Sequence, residues 1–250
     1  MTIFVFGANS PISIEYARQH AKADRAINRD RTICLGARNV EDASKVAQDL
    51  QARYGVQAEA FRFDATDTES HASLILDLEE KFGPASAALL AFGDMGVPLG
   101  TENEDTEIQR VIDTNYTAVV TLSETLSAQM SRRGFGVITL LSSVAGERGR
   151  QSNYLYGSAK GAAALYAQGL RNRMFKAGVH VLTVKLGFVD TRLTFGLQTK
   201  IPIAAPTSVA QALIRAEQKR INVLFYPRFW QMIMLIIRLI PEFIFKRLSL

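Results

Sequence analysis

The sequence predicts an α/β domain of the doubly wound kind, a mostly seven-stranded parallel sheet between two layers of helices. Two observations carry that expectation. Short apolar runs alternate with helical stretches of about 10 to 20 residues along the whole chain, the pattern of strands joined by helical crossovers. The residues best equipped for chemistry, Gly7, Arg38, Asp64, Gly93, Ser143 and Gly187, each follow directly on such a run. Ligands of such sheets bind outside the carboxyl ends of the strands, so these positions should converge on one crevice. The 250 residues suffice for one large domain with a well-filled core, and 48% hydrophobic with 21% charged residues is an ordinary globular composition.

Taken in order, residues 2–6 form a short apolar strand that runs into Gly7-Ala8-Asn9-Ser10-Pro11-Ile12-Ser13, and a helix follows over 14–22. Strand, glycine turn and helix aim backbone N–H groups and a helix N-terminus at a phosphate, which makes Gly7, Asn9, Ser10, Pro11 and Ile12 candidate cofactor contacts. Of the three glycines such a loop carries, only Gly7 is present. Pro11 and Ser13 stand in place of the others: proline is tolerated in a first helical turn, and serine is small enough for close packing. The second strand, 31–37, ends at Arg38-Asn39 with no acid between residues 35 and 40. At that strand end an acid would accept a ribose 2′-hydroxyl, whereas an arginine takes a 2′-phosphate, so NADP(H) is expected in preference to NAD(H).

A helix over 41–54 is stopped by Gly55, and strand 57–63 leads to Asp64. Thr66 or Asp67 is expected to cap the next helix, which runs to residue 82. Gly83-Pro84 breaks the chain before strand 85–92, which ends at Gly93, where backbone can approach a flat ligand. A polar loop over 100–105 precedes a helix containing Asn115. Strand 136–141 delivers Ser142-Ser143 at its end, strand 179–184 leads into Lys185-Leu186-Gly187-Phe188-Val189-Asp190-Thr191, and 222–226 supplies a seventh strand. Neither an internal repeat nor a linker interrupts the series.

The net charge of +5 admits an anionic ligand or a lipid surface, and no long basic run marks a nucleic-acid partner. The single cysteine, Cys34, lies in an apolar strand, which excludes a disulfide framework. His20, His71 and His180 are scattered, so no metal site is expected and each is assigned to the surface or a helix end. With no basic leader at the N-terminus, a reducing, cytosolic setting is the expectation.

The chemistry concentrates in residues 142–160, SSVAGERGRQSNYLYGSAK. Tyr156 and Lys160 are four apart in a stretch of small helix-forming residues and should share one helix face. A lysine ammonium there is expected to favour the phenolate and lower the tyrosine pKa, and the Ser143 hydroxyl can hold a carbonyl or alcohol oxygen against the phenol.

With these residues the sequence resembles a short-chain dehydrogenase/reductase over residues 1–226, which implies a single Rossmann-type domain, with 227–250 as an apolar C-terminal helical segment. The resemblance implies a catalytic tetrad of Asn115, Ser143, Tyr156 and Lys160. Tyr156 would protonate a ketone oxygen while NADPH delivers hydride to its carbon. Ser143 would orient the substrate oxygen, Lys160 would depress the Tyr156 pKa and touch the nicotinamide ribose, and Asn115 would hold a relay water. It also implies contacts from Asp64 to the adenine, from Ala91, Phe92 and Gly93 at the end of the fourth strand, and from Gly187, Val189 and Thr191 to the nicotinamide end. The chain departs from the family pattern at Phe6, where threonine is usual, at Pro11 and Ser13, at Ala91-Phe92-Gly93 in place of Asn-Ala-Gly, and at Leu186-Gly187 in place of Pro-Gly. Ala91-Phe92-Gly93 together with Ser152-Asn153-Tyr154 and Tyr156-Gly157 is similar to the narrower group of decaprenylphosphoryl-2-keto-ribose 2-reductases.

Residues 229–240, FWQMIMLIIRLI, are the most apolar part of the chain, yet their longest uncharged run falls far short of the ~20 residues that span a bilayer. On a helix, Arg228, Gln231, Arg238 and Glu242 make a narrow polar stripe, and the rest, with Trp230 near the start and Phe243, Ile244 and Phe245 after Pro241, is apolar. Two expectations stand side by side: a helix lying in a membrane interface on the inner face, serving an amphiphilic or lipid-linked ketone, or a helix packed on the domain or on a second subunit. A homo-oligomer is expected. A dinucleotide-binding sensor without turnover is a third reading, supported by the depleted glycine loop and opposed by the complete tetrad.

Overall fold

The computed structural model describes residues 1–26, 30–96, 105–196 and 198–248. The polar loop expected at 100–105 lies almost wholly outside the described residues. Seven strands, β1 (Thr2–Phe6), β2 (Thr32–Ala37), β3 (Gln57–Arg62), β4 (Ala85–Leu90), β5 (Gly136–Ser143), β6 (Val179–Leu186) and β7 (Val223–Tyr226), form one sheet in the order β3-β2-β1-β4-β5-β6-β7. Every neighbouring pair is parallel. The order reverses between β1 and β4, the switch point at which such sheets open a crevice.

Strands buried on both faces read as continuous apolar runs, as residues 2–6 do. Alternate side chains feed two cores. Ile3, Val5, Ile33, Leu35, Leu182 and Val184 pack beneath α1 (Pro11–Ala26), α2 (Val40–Tyr54) and α7 (Pro206–Gln218). Phe4, Phe6, Leu90, Ile138 and Leu140 pack beneath α3 (His71–Phe82), α5 (Ala118–Arg133) and α6 (Tyr154–Phe175). Between α4 (Asp105–Ile112) and α5 the helix widens into one π turn, Asp113–Thr117, centred on Asn115. Such turns are frequent at functional sites.

Several expectations are corrected. The first helix begins at Pro11 rather than residue 14, because proline fits an N-terminal turn whose N–H groups have no partner. Neither Thr66 nor Asp67 caps α3: Thr66 turns back to the Asp64 carboxylate, and the Asp67 carbonyl accepts from Ser70 in a turn that delays the helix to His71. Strands β5 and β6 each run two residues further than expected, to Ser143 and Leu186, because they continue pairing to that point. The three histidines are buried, each held by a specific neighbour. His71 bridges the Thr121 hydroxyl and the Asp64 carbonyl, His180 meets the Ile221 carbonyl, and His20 packs edge-on against Tyr16. Cys34 is buried in the sheet, and burial pushes its thiol up to about 12.

The C-terminal segment forms α8 (Phe229–Leu239) and α9 (Glu242–Phe245), and no helix among the described residues is long and apolar enough to cross a membrane. Trp230 is not at an outer surface as an interfacial tryptophan would be. It is 3% exposed, edge-on to Phe188 at 5.2 Å and packed so closely on Gly187 that a Cβ there would lie 1.8 Å from its Nε1. Phe245 also turns inward, beneath the Arg148 guanidinium. Arg148 donates to the carbonyls of Ile237 (2.7 Å) and Ile240 (2.5 Å) and to Glu242 (2.9 Å), capping the end of α8. Trp230, Val144 and Met234 form a small core of their own under this helix. Trp230→Ala should therefore cost about 3–5 kcal/mol in urea unfolding; a loss below about 0.5 kcal/mol, the range of ordinary surface substitutions, would contradict the docking of α8.

Candidate active site

The crevice outside the strand ends encloses about 1390 Å³. Every site residue singled out in the sequence lines it except Asn115, which is fully buried behind it. One end is built by the turn after β1. Gly7 has φ +86°, and a Cβ there would lie 2.6 Å from the Ala91 carbonyl oxygen, so a side chain is excluded on both counts. Its N–H and that of Ala8 both donate to the Gly36 carbonyl, tying the turn to β2. The N-terminus of α1 opens into the crevice at Ser10, Pro11 and Ile12, and Ser13 is fully buried beneath. Asn9 donates through Nδ2 to the Asn39 carbonyl at 3.0 Å, while its Oδ1 is buried without a partner among the described residues.

At the neighbouring strand ends Arg38 is exposed, and Asp64 accepts from the Thr66 amide (3.0 Å) and hydroxyl (2.8 Å). Burial pushes the Asp64 carboxyl up, but the two Thr66 bonds and the nearby Arg38 and Arg62 outweigh it, and its pKa lies below the ordinary value. A glycine turn facing a helix N-terminus, an orphaned amide oxygen and an exposed arginine at the second strand end fit a dinucleotide.

The other end gathers around α6. Lys160 is 3% exposed and donates to the carbonyls of Phe92 (3.2 Å) and Leu141 (3.1 Å). A Cβ on Gly93 would lie 3.1 Å from Asn115 Oδ1 and 3.2 Å from Lys160 Nζ, so glycine here lets the end of β4, the π turn and α6 meet. Asn115 donates to the carbonyls of Asp94 (2.7 Å) and Val111 (2.8 Å) and accepts from the Asp94 amide (3.2 Å). Its side chain is therefore committed to holding the loop after β4. Ser143, last residue of β5, accepts from the Ala145 amide at 3.1 Å, and its hydroxyl also faces the Tyr156 phenol.

The charge balance differs from the sequence expectation. Burial raises Tyr156 to about 12, with the Ser143 hydroxyl opposing, and burial lowers Lys160 to about 8. The Lys160 ammonium lies 5.9 Å from the Tyr156 ring centroid and spends its hydrogen bonds on backbone, so desolvation dominates both groups. Tyr156 is accordingly a phenol at neutral pH, the form that donates a proton.

Sequence reasoning missed Asn39, Arg110, Arg150 and Asn153, which line the same crevice. Asn39 adjoins Arg38 and caps α2; Arg150 and Asn153 lie in the stretch already singled out between Ser143 and Tyr156, and their polarity was the available signal. Arg110 pairs with Glu107 on its own helix and with Asp94 across a distance in sequence that gives no signal.

The pattern of the short chain dehydrogenase family matches residues 1–201. An uncharacterised oxidoreductase of Mycobacterium tuberculosis is 34% identical over 247 residues, covering 98% of this chain and 96% of the relative. A ketoacyl reductase of Nostoc, HetN, is 25% identical over 86% of this chain and 74% of its own length. Among solved structures, a short-chain dehydrogenase from Sphingobium yanoikuyae in complex with NADPH superposes with a TM-score of 0.81 at 22% identity, covering 93% of this chain and 91% of that one. An alcohol dehydrogenase from Thermococcus sibiricus complexed with 5-hydroxy-NADP gives 0.75 at 23% identity, covering 90% and 94%.

The burial of Lys160 has a measurable consequence. Its ordinary value is 10.5 and its folded value about 8, so between those pH values the unfolded chain binds the extra proton and stability rises with pH. Tyr156 acts oppositely from 10.0 to about 12, where stability falls with rising pH. Between pH 8 and 10 the wild-type unfolding free energy should therefore climb relative to that of Lys160→Met, measured by urea titration at both values. Parallel curves for the two proteins would contradict the burial.

Proposed function

The chain is an oxidoreductase of the short-chain dehydrogenase family, and on that premise we propose that it is an NADPH-dependent reductase converting a ketone to a secondary alcohol. The observation that carries this reading is the gathering of Ser143, Tyr156 and Lys160 at one end of a crevice whose other end is a dinucleotide cradle. The cofactor, when bound, supplies the hydride. Tyr156 gives its phenolic proton to the substrate oxygen, and the Ser143 hydroxyl holds that oxygen against it. Lys160, charged below about pH 8, holds the end of β4 to β5 through two carbonyls and offers its remaining N–H to a ribose hydroxyl. Burial keeps Tyr156 a phenol at neutral pH, the protonation state that reduction of a ketone requires. Arg38, in a position with no competing acid in its own segment, selects the 2′-phosphate. The NADPH and 5-hydroxy-NADP carried by the two solved neighbours support the same cofactor class.

The substrate in this reading is amphiphilic, such as a polyprenyl-phosphoryl keto-sugar, and the protein lies on a lipid surface. Helices α8 and α9 support it: Met232 is 61% exposed, Ile236 61%, Leu239 73% and Phe243 63%, a continuous apolar face flanked by exposed Arg238, Lys246 and Arg247. Sedimentation with anionic vesicles should capture the wild type and fail with a Met232→Gln/Ile236→Gln/Leu239→Gln variant. A wild type that ignores vesicles and forms a dimer that the variant dissolves would assign this face to a second subunit, with a soluble or acyl-chain ketone as substrate.

Tyr156→Phe tests the chemistry. With NADPH and a panel of alkyl ketones, turnover should fall by about 10²–10⁴-fold while NADPH affinity stays within about twofold. Equal turnover in both proteins would remove Tyr156 as the proton donor. A wild type that binds NADPH and turns over no member of the panel would favour the sensor reading.

A further inference from the structure

Between Ser143 and Tyr156 the chain places a guanidinium in the crevice with no acid paired to it among the described residues. Arg150 lines the cavity, and its Nε is buried with no hydrogen-bond partner among the described residues. Burial lowers its pKa, and no acid among the described residues opposes that fall. Two arginines nearby are differently placed: Arg110 pairs with Asp94 and Glu107, and Arg148 caps α8 and pairs with Glu242. A half-buried guanidinium without an acid is costly, and buried charges are as a rule paired.

A second polar group is orphaned beside it. Asn153 also lines the crevice, and its Oδ1 is buried without a partner among the described residues. The two belong to one turn, closed by the Asn153 amide donating to the Arg150 carbonyl at 3.1 Å. That turn leads directly into α6 and Tyr156. It follows β5, whereas the dinucleotide cradle follows β1 and β2, so the phosphates of a cofactor held there do not account for Arg150.

We infer that Arg150 and Asn153 form an oxyanion subsite next to Tyr156, so that the ketone this chain reduces carries a carboxylate or phosphate group. A guanidinium offers paired donors that match either group bidentately. The Asn153 amide either accepts from a hydroxyl beside the anion or, turned over, adds a second donor to it. The inference rests on the reductase reading and adds to it the side chains that would hold a charged group of the substrate. Arg150 is a binding residue in this account and takes no part in proton transfer.

The test is calorimetric titration of the NADPH-loaded protein with phenyl phosphate and with phenylacetate, with benzyl alcohol as the neutral probe. Loading with NADPH fills the cradle, so the anions report on the remaining crevice. Arg150→Gln should weaken binding of at least one anion by about tenfold or more, and Arg150→Lys, which keeps the charge and loses the paired donors, should recover only part of it. Benzyl alcohol affinity, NADPH affinity and the thermal midpoint should match wild type in both variants, which separates a lost contact from a damaged fold. Loss confined to phenyl phosphate assigns a phosphorylated substrate, and loss confined to phenylacetate a carboxylated one. Anions that fail to bind the loaded wild type, or that bind Arg150→Gln equally well, overturn the subsite and leave the reductase reading standing. Failure of the wild type to take NADPH overturns that reading and the subsite with it.

Discussion

The structure depends on one buried ammonium. Lys160 leaves water on α6 and is received by two main-chain carbonyls, of Phe92 just past β4 and of Leu141 within β5. A charge taken out of water is costly unless it is hydrogen-bonded, so the two strand ends and the helix must meet in one arrangement. That arrangement would press a side chain at Gly93 tightly against Asn115 and Lys160, and it brings Asn115 close enough to hold the following loop through Asp94. It also sets Tyr156, one turn earlier on α6, opposite Ser143 at the end of β5. Tyr156, Ser143 and Lys160 share one frame because the same contacts build all three positions.

A second layer of support comes from the end of the chain. Residues between Ser143 and Arg150 are clasped by the C-terminal segment: Arg148 caps α8, Glu147 pairs with Lys185 at 2.5 Å and with Arg238 at 3.4 Å, and Trp230 packs on Gly187 and Val144. The loop that carries Ser143 toward Tyr156 is thus braced by the same helix that presents an apolar face outward. Glycine at 187 has a packing reason here in addition to its place at the end of β6, since the indole occupies the space a side chain would need.

Much of this was legible in the sequence, and the limits have physical causes. Strands buried on both faces declare themselves as apolar runs, so all seven were placed to within two residues. The crevice residues were legible because strand ends are marked by glycine and small polar residues. What the sequence hid were consequences of long-range packing. Trp230 carries the signature of an interfacial residue, yet its partners, Gly187 and Phe188, come from a distant strand end. His20 and His71 lie in polar surroundings in sequence and His180 in an apolar strand, and His71 and His180 find their partners, Thr121 and Ile221, only after folding. The expected depression of Tyr156 rested on the nearness of Lys160, and burial, which no spacing reveals, reverses its direction. Arg150 stood within the stretch already singled out, but only the structure shows that no acid among the described residues lies beside it.

At the centre of this account is the proposal that the cradle after β1 and β2 takes a 2′-phosphorylated nicotinamide dinucleotide against the Tyr156 end of the crevice. The most direct measurement is calorimetric titration of NADPH and NADH into the wild type and into Arg38→Ala. Wild type should bind NADPH more tightly than NADH, and the variant should lose about 10- to 100-fold in NADPH affinity with NADH little changed. Binding of neither cofactor by the wild type, or an unchanged NADPH affinity without Arg38, would contradict it.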